Sequence, residues 1–310
     1  FVRDVLLAVR AEGRSDPYRE AVTALAMKFQ QYTSPVAAKG MEDTSFYLYN
    51  RLLSLNEVGG DPRRFGVSLP EFHRANQERA RDWPHALLAT STHDSKRSED
   101  VRARLAVLTE LPDEWRRAVA RWSQINRGRK RLIDGVRVPS RNDEYLLYQT
   151  LLGAWPPEAP DEAGLAAFVE RIGRYMLKAV REGKVHSSWI NPDAQYEEAV
   201  FGFIRALLAP NPKNRFLPDF LPFQRRVARP GLFNGLSQVL LKLTAPGVPD
   251  LYQGSELWDF SLVDPDNRRP VDYARRRALL DEMRRPPEDA AGFARSLLNS
   301  MEDGRIKLYL

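Results

Sequence analysis

Short apolar runs alternate with helical periodicity along the chain, and one junction between them carries a concentrated set of polar residues. The apolar run at residues 86–89 is too short for a helix and predicts a buried strand. The acidic pair at 99–100 favours a helix start. The apolar positions that follow lie on one helical face: Val101, Leu105 and Leu108. His93 and Asp94 therefore lie between a strand end and a helix start, where catalytic groups collect in strand–loop–helix folds.

The loop between these two elements is open to two interpretations. Its polar residues are Ser91, Thr92, His93, Asp94, Ser95, Lys96 and Arg97. Their spacing alone is typical of a solvated loop that ends in a helix cap. A fixed carboxylate beside an imidazole also suits the electrostatic stabilisation of a reacting polar substrate.

Helical periodicity predicts most of the remaining chain. Residues 1–28 are expected to be helical with a break at 13–17, where Asp16 caps the second segment. The run from Ser68 to Glu71 is a capping box that predicts a helix up to Trp83. Further helices are expected from Pro112, from the cap Asn142 to Gly153, over 165–183, from Asn191, over 232–243, over 271–285 and over 290–299, with a loop at 210–222.

Strand character returns near the end of the chain. Residues 246–256 form a run bounded by Gly and Pro that ends in a Gly-rich polar loop, and residues 306–310 predict the start of a further strand. The run Asp-Pro-Asp-Asn at 264–267 looks like a calcium loop. It lacks the glycine and the distal glutamate of such loops, so it predicts an Asx-rich turn.

Aromatic residues are dense at residues 29–50, where Lys39, Glu42, Asp43 and Phe46 surround a glycine. One interpretation is an aromatic-lined core turn with a local salt bridge. The other is one wall of a sugar site, because sugars stack on aromatic faces and form hydrogen bonds with charged groups. The sequence favours neither.

Composition narrows the function classes. The 310 residues are 43% hydrophobic and 28% charged, which is typical of a globular protein with a buried core. The absence of cysteine excludes disulfides, thiolate metal sites and a cysteine nucleophile, and it fits a reducing compartment such as the cytoplasm. No apolar run approaches the roughly 18 residues of a membrane helix. No cluster of ligand residues demands a metal or an organic cofactor.

The net charge of +6 permits binding to polyanions. The only tight basic cluster in the sequence is the run at 127–131, at the end of a predicted helix. It lacks the interleaved aromatic residues of a single-strand binding platform, so we do not expect nucleic-acid binding.

Two of the predicted strand-end loops resemble the last two barrel strands of the α-amylase superfamily. The seventh strand of those barrels ends in His-Asp, as the motif STHD does here, and the eighth carries a pattern Gly-x-Pro-x-x-Tyr-x-Gly-x-Glu. That pattern is matched by Gly247, Pro249, Tyr252, Gly254 and Glu256. Five longer segments resemble the maltooligosyltrehalose synthase family of glycoside hydrolase family 13, among them KFQQYTSPVAAKGMEDTSFYLYN, ATSTHDSKRSEDVRAR and LYQGSELWDFSLVDPDNRRPVDY.

The resemblance implies an α/β fold, the last strands of a partial (β/α)8 TIM barrel with a large, mostly α-helical insertion. The expected divisions are a barrel segment at 1–110, the insertion at 111–222, the last barrel strand with its helices at 223–300 and a truncated C-terminal β region at 301–310. The chain lacks an initiator Met, and we expect a fragment. We find no Gly-x-Arg-x-Asp stretch of the kind that carries the superfamily's nucleophile, so the missing N-terminal half is expected to supply the nucleophile and the acid/base.

The resemblance also implies an isomerase, a glucan glucosylmutase with a retaining mechanism. The reducing-end α-1,4 bond of a maltooligosaccharide would be rearranged to an α,α-1,1 bond, and a maltooligosyltrehalose trehalohydrolase would act next. Asp94 matches the transition-state-stabilising carboxylate, and His93 matches the histidine that binds the same sugar. The further candidates for substrate binding are Lys39, Glu42, Asp43, Phe46, Lys96, Arg97 and Tyr252.

Two alternatives remain at this stage. Another glycosidase of the superfamily would share the chemistry and differ only in its acceptor. A non-catalytic carbohydrate-binding fragment would bind without turnover. Product analysis separates them, because only the synthase removes reducing ends without shortening the chain.

Overall fold

The structure is a computed structural model and describes residues 2–7, 15–284 and 289–310. The described residues are mainly helical, and their few strands are three residues long. The chain divides into two compact units, Phe1–Tyr49 and Asn50–Leu310. None of the described helices is long and apolar enough to cross a membrane.

The first unit is built from two helices, α1 (Val2–Leu6) and α2 (Asp16–Ala37). A π-helical turn and a 3-10 turn follow α2. α2 continues well past residue 28, where the sequence predicted its end. Its N-cap is Ser15, so the predicted cap at Asp16 was wrong by one residue. Asp16 instead begins the helix, where a negative charge favours the dipole. Residues 13 and 14 of the predicted break lie outside the described residues.

The second unit contains the remaining helices and all the strands of the described chain. Its helices are α3 (Leu69–Asp82), α4 (Glu99–Ala106), α5 (Pro112–Asn126), α6 (Arg141–Ala154), α7 (Glu162–Gly183), α8 (Ala194–Leu208), α9 (Phe216–Thr244), α10 (Tyr273–Met283), α11 (Ala290–Asn299) and α12 (Arg305–Tyr309). Its strands are β1 (Leu87–Ala89), β2 (Arg131–Ile133), β3 (Val136–Val138) and β4 (Val248–Asp250). β1 pairs in parallel with β4, Leu88 beside Pro249, and β2 pairs antiparallel with β3.

Polar side chains set the helix starts. The predicted capping box at Ser68 is confirmed. α6 is capped by Ser140, whose hydroxyl accepts from the backbone N–H of Asp143 at 3.1 Å, so the predicted cap at Asn142 was wrong. α8 is likewise capped by Asp193, two residues beyond the predicted start. In each case the cap lies three residues before the amide that it satisfies.

The prediction of a loop at residues 210–222 is confirmed for 210–215 and wrong for 216–222, where α9 lies. It begins at Phe216 and contains Pro222 and Pro230. Each proline removes a backbone hydrogen bond, but the helix buries the rings of Phe216 and Phe220 fully against Trp122. Packing of this aromatic core therefore outweighs the helix-breaking tendency of proline.

A β-hairpin lies within the segment 111–222, which the sequence predicted to be a mostly α-helical insertion. β2 and β3 are joined by Asp134 and Gly135, which both have positive φ (48° and 79°). The Asp-Gly pair is the usual residue choice for such a turn, and it was the signal that the helical periodicity obscured.

Two further predictions about strands need correction. The prediction of a strand at 306–310 was wrong: α12 lies there, and the buried ammonium of Lys307 binds carboxylates on α4. β1 is present as predicted but is not buried, since Leu87 is 71% exposed. Within the described residues β1 pairs with β4 alone, so no further strand covers it.

Candidate active site

The parallel pairing of β1 with β4 brings two polar loops to one edge of the sheet. β1 ends at Ala89 and leads into the loop with His93 and Asp94, and β4 ends at Asp250 and leads to Tyr252. Carboxyl ends of parallel strands meet at the same edge, which is where α/β folds place their ligands. The sequence predicted this edge from the two strand-end motifs.

Asn267 links the two loops. Its side-chain amide donates to the backbone carbonyl of His93 at 3.0 Å and to that of Thr92 at 3.4 Å. The backbone carbonyl of Asn267 accepts from the Tyr252 hydroxyl at 3.1 Å. Asn267 lies in the predicted turn at 264–267, but nothing in the pattern there indicated a functional role for it.

The turn that carries Asn267 is itself fixed by the neighbouring carboxylate. Asp266 accepts from the backbone N–H of Leu262 at 2.7 Å and forms an ion pair with Arg171 of α7 at 2.8 Å. The turn at 264–267 is therefore confirmed, and it is anchored to a helix of the second unit. Among the described residues no group of three or more His, Asp or Glu could hold a metal ion.

His93 and Asp94 present their side chains to solvent. His93 Nε2 lies 3.4 Å from Asp94 Oδ2, and both side chains are 65% exposed. The loop backbone is held by its own hydroxyls: the N–H of Asp94 donates to Thr92 Oγ1, and the N–H of Thr92 donates to Ser95 Oγ. An acceptor carboxylate and an imidazole are thus open to a ligand on a backbone that is already ordered.

Lys96 and Arg97 face the interior. Their backbone N–H groups donate to the two carboxylate oxygens of Glu57 at 2.8 and 3.2 Å. The guanidinium of Arg97 donates to the hydroxyl of Tyr175 at 2.7 Å, and both residues are buried. The structure gives them a supporting position behind the loop, and contact with a substrate stays a prediction. Glu57 is a further supporting residue that the sequence analysis missed.

A buried cluster of charges joins the two strand ends to α4 and α12. Lys307 Nζ lies 2.7 Å from Glu99 Oε1 and 2.8 Å from Asp100 Oδ2. Lys242 Nζ donates to Thr90 Oγ1 at 2.8 Å and to the carbonyl of Asp250 at 3.0 Å. Lys242 therefore bridges the residues that end β1 and β4.

The electrostatics of this cluster follow from burial and pairing. Burial raises the pKa of Asp100 to about 6, against the opposing attraction of Lys307. Burial alone would raise the pKa of Glu99, but the ammonium of Lys307 outweighs it and the pKa is lowered. Burial alone would lower the pKa of Lys307, but the two carboxylates raise it. All three side chains are almost fully buried, so the cluster cannot contact a substrate and has a structural role next to the strand ends.

The first unit holds four more of the predicted site residues. Lys39 forms the predicted local salt bridge with Asp43. Phe46 is buried, and Glu42 is half-buried. The involvement of these four residues in a sugar site stays a prediction.

Comparisons with known proteins give relatives along nearly the whole chain. No family model matches it. It is 42% identical over 261 residues to curated proteins of Mycobacterium tuberculosis strains CDC 1551 and H37Rv, each named putative maltooligosyl trehalose synthase. The match covers 84% of this chain and 32% of each relative, so the chain spans about a third of the length of the curated relatives it matches.

Solved structures agree with this relationship. A crystal structure of a maltooligosyl trehalose synthase is 37% identical, with a TM-score of 0.78 over 96% of this chain and 38% of the other. The maltooligosyltrehalose synthase of Arthrobacter ramosus is 36% identical, with a TM-score of 0.73 over 98% of this chain and 38% of the other.

Proposed function

We propose that this chain, a homologue of one segment of the maltooligosyl trehalose synthases, forms part of the catalytic domain of such an enzyme. The observation that carries the proposal is the 42% identity over 84% of the chain to proteins of that name. The fold supports it: β1 and β4 are parallel neighbours separated in sequence by a long helical excursion, as two strands of a (β/α)8 barrel with a helical insertion would be.

The proposed reaction is an intramolecular transglucosylation with retention. A carboxylate attacks the anomeric carbon of the sugar next to the reducing end, and an acid protonates the leaving oxygen as the α-1,4 bond breaks. The released glucose stays bound, and the same group, now a base, takes the proton of its anomeric hydroxyl. That oxygen attacks the covalent intermediate, expels the carboxylate and forms the α,α-1,1 bond.

Asp94 and His93 supply transition-state stabilisation in this scheme. The reacting sugar develops positive charge at its anomeric centre, and an exposed carboxylate on an ordered loop can accept hydrogen bonds from its hydroxyls. His93 can bind the same sugar through its imidazole. Asn267 and Tyr252 hold the loop from the neighbouring strand end and act as positioning residues.

The nucleophile and the acid/base are proposed to lie in a part of the enzyme outside these 310 residues, since the chain spans about a third of its relatives. We therefore expect the isolated chain to bind maltooligosaccharides without turnover. In the cell the product would pass to a maltooligosyltrehalose trehalohydrolase, and the absence of cysteine fits a cytoplasmic pathway.

Lys39 and Glu42 are proposed to retain the released glucose, because the intermediate is hydrolysed if that glucose escapes before transfer. Replacing either residue with alanine is expected to raise the ratio of free glucose to transfer product. The control is Lys28→Ala, an exposed lysine on α2. An unchanged ratio in both site variants would remove them from the proposal.

The proposed function is tested by product analysis of the complete protein that carries this segment, with maltopentaose as substrate. We expect reducing ends to disappear while the number of glucose units per chain stays constant. Shortened chains that keep their reducing ends would identify a hydrolase instead, and unchanged maltopentaose would reject both activities.

A further inference from the structure

A cationic cavity lies away from the two strand-end loops, at the β2–β3 hairpin. It has a volume of about 950 Å³ and is lined by the end of α5, the hairpin and the start of α6. The basic run at 127–131, which the proposed function does not use, contributes to it. This volume lies within the range of small-molecule sites.

Three arginines at this cavity have no acidic partner. Arg127, Arg137 and Arg141 all line it, and in the part of the chain that the structure describes no carboxylate forms an ion pair with any of them. All three are exposed. Two neighbouring arginines have side-chain partners: Arg131 forms an ion pair with Glu198, and Arg129 donates to Asn126 and Asn214.

The one carboxylate that lines the cavity is already neutralised. Glu144 lies 2.8 Å from the ammonium of Lys130, and both side chains are buried. Glu144 also accepts from Ser123 at 3.1 Å and from the hydroxyl of Tyr148 at 2.8 Å. Asp143, next to it in sequence, is engaged by Ser140 and Tyr196. The positive charge of the three arginines is therefore uncompensated in a concave space, which concentrates an attractive potential for anions.

The three arginines are held on rigid elements. Arg137 lies on β3, paired with Leu132 of β2 across a tight turn, and Arg141 is the first residue of α6. Arg127 begins the 3-10 turn that follows α5. Their backbones are therefore fixed around the cavity, and guanidinium groups bind phosphate with two parallel hydrogen bonds.

We propose that this cavity binds the phosphate group of a small phosphate ester. A small ligand fits better than a nucleic acid, because the arginines surround a cavity and do not form a stripe. The tyrosines also offer no stacking platform: Tyr148 is fully buried, and the ring of Tyr145 packs against Trp115, with the ring centroids 5.9 Å apart. This inference does not depend on the proposed catalytic function.

The test is isothermal titration calorimetry of the full chain with inorganic pyrophosphate at constant ionic strength. We expect saturable binding at one site. Arg137→Gln and Arg141→Gln should each weaken it about tenfold or more, because each removes a charged hydrogen-bond donor. The matched control is Arg225→Gln, an exposed arginine on α9 outside the cavity, which should leave the affinity unchanged. All three substitutions are on exposed side chains, and thermal unfolding confirms that the variants are folded.

Competition experiments define the ligand class. Glucose 6-phosphate should displace pyrophosphate, and glucose at the same concentration should not. The proposal is overturned by an absence of saturable binding, by an equal loss of affinity in Arg225→Gln, or by displacement with glucose. Tighter binding of a single-stranded oligonucleotide than of pyrophosphate, with the same dependence on Arg137 and Arg141, would also overturn it and identify a nucleic-acid surface.

Discussion

At the level of single residues, Lys307 shows that charged positions in the sequence can be buried in the fold. The periodicity of α4 places Val101 and Leu105 on a buried face, and the structure confirms this. The same pattern would leave the charged residues of α4 on a solvated face. Instead Glu99 and Asp100 are buried against the ammonium of Lys307, some two hundred residues later in the chain. A partner so distant leaves no local signal, so the sequence could not predict the cluster.

Removing the ammonium tests this cluster. Lys307→Met should lower the free energy of unfolding at pH 7 by about 3–5 kcal/mol, because it leaves buried carboxylates without their cation. Without the ammonium the pKa of Asp100 in the folded state rises further above its unfolded value, and the pKa of Glu99, which Lys307 holds down, is raised by burial. The folded variant then binds more protons than the unfolded chain, so its stability should increase as the pH falls from 7 to 5.

Urea denaturation at the two pH values measures this effect. Lys213→Met, at an exposed position, is the control and should change stability by no more than about 0.5 kcal/mol. A loss of less than 1 kcal/mol for Lys307→Met at pH 7, or a further loss at pH 5, would contradict the buried cluster.

Elements were predictable where local chemistry decides and unpredictable where packing decides. The capping box at Ser68 is a local signal, and its helix is confirmed. α9 is the opposite case: its prolines predicted a loop, and contacts with Trp122 made a helix. α9 also crosses α4 closely, because a Cβ at Gly231 would lie 2.7 Å from the Cα of Arg104.

This crossing gives a matched pair of glycine substitutions. Gly231→Ala should destabilise the protein by about 1–3 kcal/mol, because the added methyl group meets the backbone of α4. Gly202→Ala in α8, where nothing lies within 4 Å of the new Cβ, should stabilise it by about 0.5–1 kcal/mol through helix propensity. Thermal unfolding of the two variants is the measurement. Equal effects in both would mean that α4 and α9 do not approach as described.

The link between the two strand-end loops is also testable at the level of elements. Asn267→Ala removes the donor to the His93 carbonyl, a loss of about 1 kcal/mol, so amide exchange at residues 91–95 should quicken roughly fivefold. Asn211→Ala, in a turn that does not contact these loops, is the control. Exchange at 91–95 that stays unchanged in Asn267→Ala would remove its positioning role.

At the level of the whole molecule, the sequence predicted the two strand-end loops and the two strands that precede them. It could do so because the His-Asp and Gly-x-Pro-x-x-Tyr motifs are local. It could not predict that Lys96 and Arg97 turn inward, since Glu57 and Tyr175 that hold them are distant in sequence. The proposed enzyme therefore depends on Asp94 as the carboxylate that this segment contributes.

The most direct test is the rate of maltooligosyltrehalose formation from maltopentaose by the complete protein and its Asp94→Asn variant. Asn keeps the size of the side chain and removes the negative charge, so kcat should fall by about 10²–10³-fold or more. Asp113→Asn, an exposed aspartate on α5, is the control and should keep the full rate. A kcat for Asp94→Asn within a few-fold of the unsubstituted protein would contradict the assignment of this loop to the active site.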